Sequence, residues 1–284
     1  MTEFKVNTMT NSDSRAKAII EVLAVFVLIF LIVWTIRISP LWKWQRAYLN
    51  HPFLNHTTMI ALSLIIIALT RRSFTAYGLS FKNLRYHLTI SLICILPVML
   101  VSSAFARIDW TSRNGALILA ALYLALLFVL AWLLRKRPTA NTTATTALCA
   151  VLLLSASPLS MDGVVIRKIL GSVYYFFFVG FGEEMLFRGY IQSRLNAAFG
   201  RPYRFFGVKW GWGLIITSLL FGFAHVFNHF NPFLREFNLM WWWAFWNIFT
   251  GLVFGYLREK TGSILVPAIL HGFPLAIAFL FFGL

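Results

Sequence analysis

Long uninterrupted apolar runs, separated by short polar gaps, set the pattern of this chain. They fall at roughly Ala18–Ile36, Thr57–Thr70, Leu88–Ala106, Gly115–Leu134, Ala144–Leu159, Ile169–Phe187, Trp212–Phe230, Leu239–Leu257 and Ile264–Phe282. A helix crosses the hydrocarbon core of a bilayer with ~20 such residues, and most of the runs approach that length. Thr57–Thr70 and Ala144–Leu159 are shorter, which suits tilted, re-entrant or merged segments. The pattern predicts an all-α fold, a polytopic transmembrane helical bundle of about eight spans, seven to nine. A transmembrane barrel would need ~10-residue segments alternating apolar and polar, which these runs are not. The organisation expected is a 1–170 region of N-terminal transmembrane helices with a cytoplasmic tail, followed by a helical core over 171–284.

Composition fits a lipid solvent. Hydrophobic residues make up 60% and charged residues 12% of the 284, against roughly 45–50% and about 25% in soluble domains. The net charge of +16 would suit nucleic acid, but the basic residues occupy the gaps between apolar runs and not one soluble face. With nine spans, 17 of the 25 fall on the side of the N-terminus and 8 on the other. Short Lys- and Arg-rich loops stay cytoplasmic, so the N-terminus is expected inside. The partners expected are membrane lipid and a membrane-associated peptide or protein, with no nucleic acid. The first run lacks a small-residue cleavage site and reads as a retained helix. A bacterial inner membrane is the expected location. Cys94 and Cys149 lie in apolar runs and suggest neither a disulfide framework nor a thiolate metal site. Asn141–Thr146 is a polar linker without evident chemistry. The Trp241-Trp242-Trp243 cluster with Trp246 suits anchoring of a helix end at the headgroups, with a substrate-facing wall as the alternative.

Against this background one segment stands out: Gly182-Glu183-Glu184-Met185-Leu186-Phe187-Arg188-Gly189. An ionisable group at membrane depth is costly and marks a functional site with a partner to be found. On an α-helix Glu184 and Arg188 lie ~40° apart on one face, while Glu183 points ~100° or more from both. Glu184 is expected to pair with Arg188, in the favourable acid-before-base order, leaving Glu183 free as a general base. The alternative is that both glutamates merely satisfy Arg188 and fix helix packing. Phe221-Gly222-Phe223-Ala224-His225 adds a histidine to the next run, with His229 on the same face. Pro267-Ala268-Ile269-Leu270-His271-Gly272 adds another to the last. At 1.5 Å per residue, Glu183, His225 and His271 lie roughly 18, 21 and 14 Å from the cytoplasmic ends of their helices, so they could meet.

Glu183-Glu184-x-x-x-Arg188, Phe221-x-x-x-His225 and His271, in this order on successive helices, resemble the CPBP family of CAAX-processing and bacteriocin-processing intramembrane proteases, also called Abi. The likeness runs from about Gly171 to the C-terminus. Gly251–Tyr256, Thr261-Gly262-Ser263 and Pro267 resemble the approach to the family's last motif, and Tyr77-Gly78-Leu79 its pre-core segment. The resemblance implies an intramembrane endopeptidase hydrolysing a peptide bond in a membrane-associated substrate. It assigns Glu183 and His225 to activating water, Glu184 and Arg188 to holding the site's shape, and His271 to stabilising the oxyanion. The same resemblance leaves a metal mechanism open, with Glu183, His225 and His271 binding a divalent ion. Carboxylate and neutral imidazole suit zinc. Leu275 stands where the family often carries Asn, so either Asn247, Asn228 or a water supplies the missing donor, or activity is reduced or lost. Pro274 would kink the last helix and re-aim His271. Two other classes share these residues: a non-catalytic membrane immunity or scaffold protein, and a proton-coupled transporter using a midplane acid–histidine relay.

Overall fold

The computed structural model describes residues 11–80, 82–135 and 165–282. The apolar run Ala144–Leu159, the linker Asn141–Thr146 and Cys149 lie outside them. Helix α1 spans Asn11–Ile38. It is followed by α2 (Pro40–Tyr48) and α3 (Phe53–Leu69), a pair bent by 117° at the intervening break. Two long helices come next, α4 (Leu84–Ser103) and α5 (Arg113–Leu133). A composite helix, α6, covers 165–199. The last three are α7 (Trp212–Val226), α8 (Trp241–Thr261) and α9 (Leu265–Phe282).

Four described helices are long and apolar enough to cross a membrane, or five if the bent α2–α3 pair forms one span. Among the described residues these account for four or five of the seven to nine spans expected from hydropathy. The run Trp212–Phe230 leaves the helix after Val226 and enters a short hairpin of β3 (Phe230–Asn231) and β4 (Glu236–Phe237). Helix α7 is therefore only 15 residues long. The apolar part of α9 is shorter than a span as well. A second hairpin, β1 (Tyr203–Phe205) with β2 (Val208–Trp210), joins α6 to α7. Its two-residue turn has positive φ at both Phe206 and Gly207, as the strand twist in tight hairpins requires. Apolarity alone does not separate lipid-crossing helices from helices packed in the interior.

Lipid-facing character is evident on the outer helices. Ile20 on α1, Leu69 on α3 and Leu100 on α4 are all more than 60% exposed. The interior holds two apolar clusters. One joins α4 and α5 to α8 and α9 through Leu119, Val253, Phe254 and Leu270. The other joins α1 and α3 to α6 and α7 through Ile29, Ile67, Phe187 and Phe221. Cys94 is a free, buried thiol in the first cluster.

Two close approaches draw helices onto the Glu-Glu motif. A Cβ on Gly272 of α9 would sit 2.6 Å from the Phe176 carbonyl oxygen and 2.9 Å from its Cα. A Cβ on Gly182 of α6 would sit 3.2 Å from Cβ of His56 on α3. Because the obstacle at Gly272 is backbone, Gly272→Ala is expected to cost about 1–3 kcal/mol through overpacking. A thermal melt in detergent reads this directly. An unchanged midpoint would mean that α6 and α9 separate freely.

At one end of the bundle Glu21 of α1 accepts hydrogen bonds from Arg72, from the Tyr190 hydroxyl at 2.7 Å and from Arg194 at 2.8 Å. Glu259 does the same for α8, accepting from Gln192, Asn196 and Arg201. These contacts tie both helices to the C-terminal turns of α6 and so fix the height of its motif.

Candidate active site

Helix α6 is α-helical over Val165–Val173, Gly182–Glu184 and Gln192–Phe199, with π-helical stretches at Tyr174–Phe181 and Met185–Ile191. π-Turns are rare and concentrate at functional sites. Here they bracket the two glutamates. Each turn takes in an extra residue, so the α-helical angles used to orient Glu183, Glu184 and Arg188 hold only locally.

The pairing expected of Glu184 is present nonetheless. Arg188 Nη1 donates to Glu184 Oε1 at 2.8 Å, and both side chains are fully buried. Arg188 Nη2 donates to the Gly251 carbonyl at 3.3 Å. Its guanidinium lies 4.3 Å from the Phe221 ring centroid and 5.5 Å from that of Phe254. Phe221 and Phe254 belong to different apolar clusters. The ion pair thus occupies the seam where the two halves meet.

His271 reaches the same carboxylate from α9, with Nδ1 2.9 Å from Glu184 Oε1. A carboxylate paired with Arg188 only accepts, so Nδ1 carries the hydrogen. The other nitrogen, Nε2, lies 3.9 Å from Glu183 Oε2. The ring stacks on Phe254 at 5.0 Å between centroids and meets Phe221 edge-on at 6.1 Å.

His225 of α7 places Nδ1 2.8 Å from the Phe221 carbonyl oxygen. That oxygen likewise only accepts, so a neutral His225 has a bare Nε2. Its ring lies 4.9 Å from Phe221 and 5.7 Å from Trp243. His225 and His271 pack against the same Phe221 ring, at 4.9 and 6.1 Å between centroids.

Glu183 is not the free carboxylate expected from the sequence. His56 of α3 approaches it, Nε2 to Oε1 at 3.4 Å, and the Tyr174 hydroxyl is 3.1 Å from His56 Nδ1. The other carboxylate oxygen, Oε2, is buried and has no hydrogen-bond partner among the described residues. Neither His56 nor Tyr174 was a candidate on sequence. His56 immediately precedes the apolar run that opens at Thr57 and reads there as part of a loop.

The remaining candidates fall elsewhere. His229 and Asn228 lie in the turn after α7, where the His229 ring is 6.1 Å from Trp243. Asn247 is buried, but its amide nitrogen donates to the Trp243 carbonyl at 2.9 Å. Leu275 is 38% exposed. The tryptophans divide: Trp241 and Trp242 are exposed, Trp246 is buried with its indole N–H on the Trp110 carbonyl, and Trp243 faces His225.

Among the described residues no group of three or more His, Cys, Asp or Glu is arranged to hold a metal ion. Glu183, His225 and His271 converge without meeting that arrangement, although the partners on Nδ1 of each ring and on Glu183 Oε1 leave Nε2 of both histidines and Oε2 of Glu183 turned to other tasks.

Residues 166–274 match the family model described as Type II CAAX prenyl endopeptidase Rce1-like. The match includes every motif on α6, α7 and α9 and excludes His56. No curated protein and no solved structure matches the chain.

Proposed function

We propose that this Rce1-like core makes the chain an intramembrane endopeptidase in which Glu183 activates the attacking water. The supporting observation is the convergence of Glu183, Glu184 and His271, with His225 beside them, at a seam walled by Phe221 and Phe254. Glu183 Oε2 is buried and free to accept a proton from water, and the bare Nε2 of His225 accepts a hydrogen bond from the water's second O–H, which stays bonded. As the water oxygen bonds to the scissile carbonyl carbon, its proton passes to Glu183. That proton then goes to the leaving amine as the C–N bond breaks. His271 as an imidazolium, which takes its Nε2 proton from solvent before the step and keeps it throughout, donates to the oxyanion, with Glu184 behind it as counter-charge. Glu184 and Arg188 hold α6 and orient His271 without touching substrate.

The substrate class follows from the family description: a protein or peptide tail carrying a prenylated cysteine. The basic end of the bundle faces the cytoplasm on this reading, and the site is reached from that leaflet. The test is cleavage of a fluorogenic prenylated tail by the full chain in liposomes, alongside Glu183→Ala and His225→Ala. Cleavage by the parent protein and its loss in both variants is expected. Equal cleavage by all three would remove these residues from the chemistry. With a glutamate-activated water, dialysis against a strong chelator is expected to leave turnover unchanged. A loss reversed by zinc alone would reinstate the metal reading.

A further inference from the structure

We infer that His56, brought from α3 outside the family-matched segment, is a positioning residue that holds the Glu183 carboxylate, and that Tyr174 fixes the histidine tautomer needed to do so. The inference deepens the peptidase reading and rests on it for its kinetic consequence, though not for its structural one.

Hydrogen-bond logic assigns the protons. An ionised Glu183 can only accept, so the contact from His56 Nε2 requires a hydrogen on that nitrogen. A neutral imidazole has one N–H, which leaves Nδ1 bare. The Tyr174 hydroxyl, 3.1 Å from Nδ1, is then the donor. Tyr174 is itself held: its ring stacks on His51 at 4.8 Å and 12°, and Phe53 packs edge-on at 5.0 Å. His51, Phe53 and His56 all come from the bent α2–α3 connection and the start of α3. The absence of a side chain at Gly182 lets His56 Cβ come this close to α6.

The arrangement gives the two carboxylate oxygens different tasks. Oε1 is tied to His56, and Oε2 is left facing His271 with no donor among the described residues. The terminal torsion of a glutamate is broad and roughly two-fold. A fixed N–H on Oε1 therefore selects the orientation in which Oε2 meets the water. Misplacing a catalytic group by about 1 Å can cost on the order of 100-fold in rate. The effect of losing His56 belongs in kcat, because substrate binding does not use it.

Two measurements on the full-length protein in micelles or liposomes test this. The first is steady-state cleavage by His56→Ala, His56→Gln and Tyr174→Phe beside the parent and Glu183→Gln. His56→Ala is expected to lower kcat by about 10- to 100-fold with KM changed by less than about twofold. His56→Gln, whose amide N–H can reach Glu183, restores most of that loss. Tyr174→Phe falls between. The second is the 15N spectrum of histidine-labelled protein, with the His56 signal identified by its absence in His56→Ala. It is expected to show the Nε2–H tautomer in the parent and a mixture in Tyr174→Phe. An Nδ1–H tautomer in the parent, or parental kcat in His56→Ala, overturns the inference. If no preparation cleaves substrate, the peptidase reading fails by itself, and the tautomer still decides whether His56 holds Glu183.

Discussion

On the proposed mechanism Glu183→Gln is expected to lower kcat by about 10²–10⁴-fold, the range for removal of a positioned general base, and to leave the bundle folded. Glutamine keeps the size and shape of the side chain but cannot take a proton from water. Its amide oxygen can still accept from His56 Nε2, so the link to α3 survives. The buried position also makes the neutral replacement tolerable, because an ionised carboxylate of 14% exposure has already lost most of its hydration. Glu183→Gln should therefore melt within about 1 kcal/mol of the parent or above it. The combination of lost turnover and retained stability identifies a base. A variant that still turns over at the parental rate assigns the water to another group, with His225 the first to examine.

How much of this site was legible in the sequence depends on which physical rule each residue obeys. Glu184 with Arg188 was readable because acid and base four residues apart meet on one helix face, and the buried pair does meet. His225 and His271 were readable because titratable groups inside apolar runs are costly enough to be informative. That Glu183 and His271 could meet was readable from rise per residue once the helix ends were placed. The partner of Glu183 was not readable. His56 lies ahead of the run that opens at Thr57, whereas α3 starts at Phe53, and only the 117° bend and the close approach at Gly182 bring it to α6. The π-helical stretches were also invisible, since they leave the apolar pattern unbroken while changing the angle per residue. Span number suffered for a related reason. Helix α7 is shorter than the apolar run that contains it, because the run Trp212–Phe230 leaves the helix after Val226, and the apolar part of α9 also falls short of a span. The position four residues after His271 shows the limit of motif arithmetic. Leu275 is partly exposed, and the amide of Asn247, its suggested substitute, is committed to the Trp243 carbonyl.

Removing Arg188 has the opposite signature to removing Glu183. Arg188→Met leaves a fully buried Glu184 carboxylate with His271 Nδ1 as its one remaining hydrogen-bond partner among the described residues. An uncompensated buried charge costs about 3–5 kcal/mol, and the Phe221 and Phe254 faces lose their cation as well. The single variant is expected to melt far below the parent or to fail to assemble in the membrane. Neutralising both partners, as Glu184→Gln with Arg188→Met, removes the stranded charge and fills similar volume. The pair of substitutions should regain most of the lost stability, as buried ion pairs often do when replaced together. Activity need not return in parallel. The introduced glutamine amide can accept from His271 Nδ1–H, but it no longer supplies negative charge behind a protonated ring. A double variant that melts near the parent yet cleaves slowly would separate the two roles of Glu184, one in holding α6 and one in backing His271. A single Arg188→Met variant as stable as the parent, or a double variant no better than the single, would show that this ion pair does not hold the seam.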